Sequence, residues 1–243
     1  MIFMPGARII LYFFAYLLSA CAYQQPATTV LPSGAARTAE QVQYWWHVNY
    51  RIKWRENTEP EFFIDLLLAD AVIEPILLLH RDAITYWRFH RRAIRDKAGH
   101  QFSFIFYADK DTARSIYQQV NRNEITGKML EMNILQKILT DDPDRNTLTD
   151  INATSDKNWP LELQNAWPAY IMGASSTWLQ LINQAIKDDQ PGNDINYLLG
   201  VYKQADATIS GIWYEQGQHA FLHHLNAIFG YEPIRINKEL LRF

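Results

Sequence analysis

Basic residues at spacing two and histidines at spacing four are the side chains here whose types and positions could do chemistry. Arg88, His90 and Arg92 recur at every second residue, so an extended strand points all of them to one side. His47, Arg51 and Lys53 share one parity on an earlier alternating segment. Set on two strands that flank a third carrying Tyr107, they would combine into a cationic floor suited to a carboxylate, a phosphate or an acidic partner. A solvated sheet face, paired across strands with Asp and Glu, gives the same pattern. His219 and His223 stand four apart as in helical metal sites, with Glu215 a turn back and His224 adjacent. No HExxH sequence accompanies them, and with Asn226 they equally form the polar side of a helix whose apolar side is Phe221, Leu222, Leu225 and Phe229. Other motifs fail on inspection. Asp142-Pro143-Asp144-Arg145-Asn146 opens like a calcium loop, but Thr147 stands at the glycine position and Ala153 at the final glutamate position. Gly173-Ala174-Ser175-Ser176-Thr177 lacks the second glycine of a nucleophile elbow. Lys128 follows Gly127 without a phosphate loop. No catalytic residue is assigned. The expectation is a binding protein rather than an enzyme, the alternative being a metal-binding protein or enzyme that uses His219 and His223.

These groups need a scaffold. From Val42 to Trp54 apolar and polar residues alternate, broken only by Trp45, which predicts a strand. Thr58 and Glu61 have capping-box spacing around Pro60, and the run from Phe62 to Ile73 is apolar on nearly every side, a helix to be buried between two layers until Pro75 kinks or ends it. Ala83–Arg95 and His100–Ala108 read as strands about the turn Asp96-Lys97-Ala98-Gly99, with facing pairs summing to about 195. Asp109 caps a helix that buries Ala113, Ile116, Tyr117 and Val120. Strand, helix, strand, strand, helix is the start of a ferredoxin-like βαββα(β) unit, so the fold class is α+β with an added helical C-terminal region. Lys128–Leu135 and Pro233–Asn237 are the candidates for a fourth strand. Thr140–Asn158 reads as a polar loop. Trp159-Pro160 and Trp167-Pro168 each place proline where a helix would begin.

Gln101-Phe102-Ser103-Phe104-Ile105-Phe106-Tyr107 is similar to part of the RNA-recognition-motif signature strand, with Gln101 and Ser103 where that signature has glycine. The strand parity puts Phe102 and Phe104 on the core face, so no nucleic-acid partner is expected. Charge agrees: 23 Lys and Arg against 26 Asp and Glu give a net −3, so any anion site must be local. An aromatic content of 14% does not suit a disordered chain.

The N-terminus carries a different signal. Arg8 is the only charge before a short apolar run, Ile9–Leu18, which is too short to span a bilayer but suits the core of an export signal. It ends in Leu17-Leu18-Ser19-Ala20-Cys21. Leu18-Ser19-Ala20-Cys21 resembles the lipobox of bacterial lipoproteins. The resemblance implies cleavage before Cys21 by signal peptidase II, a diacylglycerol on its thiol and an acyl chain on the new amine, with no other cofactor. Cys21 is the chain's single cysteine, so there is no disulfide framework. Ala22, rather than Asp, implies outer-membrane anchoring facing the periplasm. Residues 22–37 are small, polar and broken by Pro26, Pro32 and Gly34, a tether that reaches about 50 Å at roughly 3.3 Å per residue. The expected organisation is a signal peptide over 1–20, a lipidated Cys21 with its tether to 37, and one α+β domain over 38–243. Within that domain 38–139 holds the sheet and 140–243 is mainly helical. The expected partners are the bilayer, through Cys21, and an envelope protein or acidic ligand.

Overall fold

The computed structural model describes residues 42–188 and 194–233; the leader, Cys21 and the tether lie outside the described residues. The alternating segment forms β1, Tyr44–Ile52. Next come α1, Phe63–Leu67, a π-helical stretch, Leu68–Ile73, and α2, Glu74–His80. Strands β2, Tyr86–Ala93, and β3, His100–Ala108, make a hairpin. Helices α3, Lys110–Arg122, and α4, Glu124–Glu131, lead to β4, Leu135–Thr140. A loop then runs to α5, Leu161–Ile186, followed by α6, Ile195–Gly217, a second π-helical stretch, Gln218–His223, and α7, His224–Ile228. The class is α+β: an antiparallel sheet in the order β2-β3-β1-β4, with helices against it.

Strand alternation decides the core. Trp46, Val48 and Tyr50 of β1 face Phe106, Phe104 and Phe102 of β3, and all six are fully buried. The apolar helix lies on this face, its Leu66, Leu67, Leu68, Val72 and Ile73 buried, and α6 packs on α1. Helix α3 buries the four expected residues, and the Asp109 carboxylate accepts from the Asp111 and Thr112 amides. The described residues from Val42 onward form one compact unit.

Several sequence expectations are corrected. The Thr58–Glu61 capping box does not form: the Thr58 hydroxyl donates to the Arg55 carbonyl, and α1 begins after Phe62. Pro75 does not end the helical run but stands in the first turn of α2. Having no N–H, it cannot extend the ladder, and the turn before it widens so that the Glu74 N–H reaches back five residues to Ala69. Hairpin pairs sum to 193 rather than 195, as in Phe89↔Phe104 and Ala93↔His100. Gly99, at φ +61°, closes the turn, where the Asp96 carboxylate accepts from the Ala98 and Gly99 amides. A shift of two keeps every side chain on its expected face. The fourth strand overlaps the first candidate only at Leu135, because Lys128–Glu131 completes α4; residues 234–237 of the second candidate lie outside the described residues. Pro168 does not begin a helix but sits inside α5. The Gln164 carbonyl, which an amide at position 168 would have satisfied, accepts the Ser155 hydroxyl instead, at 2.8 Å.

Candidate functional site

The outer face of the sheet holds the basic residues. Register sets them in rows. Arg92, Gln101, Arg51 and Lys137 stand opposite one another across β2, β3, β1 and β4, and His90, Ser103, Asn49 and Leu139 form the next row. At an interstrand spacing of about 4.8 Å the four strands span roughly 14 Å. The rows containing Arg88, Ile105, His47, Tyr107 and Trp45 follow toward the other end of the sheet.

That other end is roofed. The polar loop after β4 crosses it, and the Trp45 indole, buried on this outward parity, donates to the Asp150 and Ile151 carbonyls at 3.1 and 3.0 Å. Asn146 Nδ2 donates to the Trp45 carbonyl at 2.6 Å, and the Trp45 amide donates to Leu148 O. The Tyr107 hydroxyl is bound to Thr149 O and Arg88 Nη2 to Thr154 O. His47 offers its backbone N–H and Nδ1 to Asp141, each at 2.8 Å. Arg88, Tyr107 and His47 therefore anchor the roof. A tryptophan in a polar register marked the strip that this loop covers.

The hairpin end stays open. His90, Lys53 and Lys137 are exposed, while Arg51 and Arg92 are half-buried. Asn49, Gln101 and Ser103 bind one another in the middle, with Ser103 Oγ donating to Asn49 Oδ1 at 2.7 Å. Among the described residues, the one ion pair made by these cations is Arg92 with Asp96, at 2.6 Å. That contact, with the Gly99 and Ala98 amides, holds the Asp96 carboxyl below the usual range. Arg51 donates one hydrogen bond, to Lys97 O, and its Nε is buried without a partner. Although its residue is exposed, the His90 imidazole is partly desolvated against the sheet, which together with the Arg88 and Arg92 charges pushes it below its ordinary value. Several cations here face one carboxylate on a chain that is acidic overall. Chemically, the patch can place guanidinium and ammonium donors on an anion.

Lys137 gives no signal in the sequence, because β4 buries little beyond Leu135 and so barely alternates. A second group is hidden there as well. Arg91 points into the core: its Nε donates to Asp65 Oδ2 at 2.8 Å, its Nη2 donates to Phe62 O at 3.0 Å, and its guanidinium lies 4.8 Å from the Trp178 ring. His100 Nε2 meets the other Asp65 oxygen at 3.0 Å, with Asp65 and His100 essentially inaccessible to solvent. The signal was parity, since Arg91 shares the strand side of Trp87 and Phe89.

His219 and His223 are brought together, their rings stacked with centroids 5.3 Å apart, and His224 lies 5.3 Å from each. Gly217 does not break the helix. The π turn that follows aligns residues five apart, bringing His224 to His219. Among the described residues no group of three or more His, Cys, Asp or Glu is placed to hold a metal ion. Phe102, Phe104 and Phe106 are all in the core, leaving no phenylalanine of β3 on the open face. Among the described residues no helix is long and apolar enough to cross a membrane. No protein-family model matches this chain, and no curated protein or solved structure matches it.

Proposed function

We propose that this chain is a bacterial envelope lipoprotein, cut before Cys21 and held by lipid on that residue to the outer membrane, facing the periplasm. It acts by binding rather than by catalysis, docking an acidic segment of an envelope partner on the open basic half of its sheet. We further read the fold as ferredoxin-like. In support, the strand order β2-β3-β1-β4, antiparallel throughout with helices between β1 and β2 and between β3 and β4, is the order such a unit would have.

One observation carries the docking reading: the row Arg92, Gln101, Arg51, Lys137, which aligns cations from three strands with one paired carboxylate beside them. The lipobox carries the location. Two acyl chains, at about 0.8 kcal/mol per buried methylene, hold a protein on a bilayer where one does not.

Titration of the full chain in detergent with a glutamate-rich peptide tests the docking. Saturable binding is expected, weakening as salt rises, since exposed charges are screened over about 10 Å at 0.1 M. Combining Arg51→Glu, Arg92→Glu and Lys137→Glu should abolish it, while Lys203→Glu on α6 should leave it intact. Equal binding by both variants removes the proposed surface. Mass spectrometry of the native N-terminus should find Cys21 first and acylated; an unmodified thiol removes the tether.

A further inference from the structure

A cavity of about 810 Å³ opens between α5, α6 and the chain from Gln218 to Ile228. Ligand pockets run to about 300–1,000 Å³. Tyr170 and Trp178 of α5, Ile209 and Trp213 of α6, and Phe221 and Leu225 beyond it line the walls. Trp213 lies over Gly217, where an added Cβ would come within 3.0 Å of the indole, and its ring stacks on Phe221. The wall is thus built from fitted aromatic pieces around an apolar space.

One end is polar. Arg91 reaches it from β2 but is already engaged by Asp65 and the Phe62 carbonyl. Asp206 also lines the cavity and meets Arg91 only at 3.9 Å, too far for a hydrogen bond. Arg91 and His100 both bind Asp65, whereas Asp206 has no cation among the described residues within hydrogen-bond distance, so the polar end carries a carboxylate acceptor without a donor on it. Burial and the neighbouring Asp65 charge push the Asp206 carboxyl above its usual range, with Arg91 opposing them. A carboxylate head group would be repelled here, whereas an ammonium would give Asp206 the charge-assisted partner it lacks.

We propose that this cavity binds an amphiphile with an apolar chain and a cationic amine head, the chain lying among the aromatic residues and the amine on Asp206. The site is separate from the basic sheet face and stands or falls without it.

Calorimetric titration of the full chain in mild non-ionic detergent, below the micellar concentration of each probe, compares dodecylamine, dodecan-1-ol and dodecanoate. The amine should bind saturably and most tightly. Asp206→Asn should weaken it at least about tenfold while changing the alcohol by less than about twofold, as expected when a charge-assisted contact is lost. Gly173→Phe should abolish binding of all three. Gly173 lines the cavity with open space where its side chain would begin, and replacing a helical glycine does not threaten the fold. Dodecanoate binding as tightly as the amine overturns the proposal. So does Asp206→Asn leaving the order of affinities unchanged. Non-saturating uptake overturns it too, as does amine binding that Gly173→Phe leaves unchanged, since that would mark adsorption outside the cavity rather than a ligand site.

Discussion

Replacing Arg91 by leucine should be among the most damaging single changes outside the aromatic core. Asp65 is wholly buried on α1, and its carboxylate has two partners, Arg91 at 2.8 Å and His100 at 3.0 Å. Arg91→Leu removes a charge-assisted hydrogen bond worth about 1.5–3 kcal/mol. It also removes the stacking of the guanidinium on Trp178 and Phe62, at about 0.5–2 kcal/mol each. Leucine returns some apolar packing. Stranding one member of a buried pair costs about 3–5 kcal/mol, and with His100 still on Asp65 the expected loss is about 3 kcal/mol. Urea unfolding should show a lower midpoint at unchanged slope, and thermal unfolding a midpoint lower by roughly 10 °C. Arg92→Ala, which breaks the exposed pair with Asp96, should cost less than about 1 kcal/mol. Adding Asp65→Leu to Arg91→Leu should recover part of the loss, because the buried charge goes with it while the His100 ring loses its partner. A cost below about 1 kcal/mol for Arg91→Leu, or no recovery in the double variant, would refute this reasoning.

The Asp70 carboxyl is raised to about 6 by burial and by Glu74, despite the hydrogen bond it accepts from Tyr202. The folded state therefore holds this proton more tightly than the unfolded chain, and stability should fall as pH rises from about 4 through about 6. Allowing for partial exposure, the loss is roughly 1–2 kcal/mol. Asp70→Asn, which can still accept from Tyr202, should flatten that slope and exceed the parent in stability at pH 8 by a similar margin; parallel stability curves for the two chains would refute this. Asn146→Ala loosens the roof by losing its bonds to Trp45 O and from the Leu148 amide. It should cost about 1–2 kcal/mol and raise the quenching of tryptophan emission by acrylamide.

Much of the scaffold was legible because the chain alternates cleanly where one sheet face is buried. β1, β3 and the Asp109-capped helix follow from period and cap alone. β4 was harder to see. Of Leu135 to Thr140 only Leu135 is buried, so that edge strand has little alternation to detect, and Lys137 was lost from the basic row with it. Pro75 and Pro168 both stand within helical runs, for a shared reason. A proline ends a helix unless the orphaned carbonyl finds another donor or the turn widens, and both remedies come from residues remote in sequence or from geometry no local pattern records. Trp45 and Arg91 each violate the parity of their strand. One marks the strip under a loop and the other a buried ion pair, so mismatches of type and face pointed to tertiary structure more sharply than the residues that fit. The cavity had no such sign, because it depends on how α5 and α6 are spaced.

The most direct test of anion docking is the imidazole titration of His90, followed by NMR with and without a saturating glutamate-rich peptide. Without peptide, His90 should titrate below the ordinary histidine value because of burial and the Arg88 and Arg92 charges. With the peptide's carboxylates on the basic row, the titration should move up by at least about 0.5 in pH. An imidazole that titrates at the same pH in both samples, under conditions where the peptide is bound, would place the anion elsewhere on the protein and contradict the assignment.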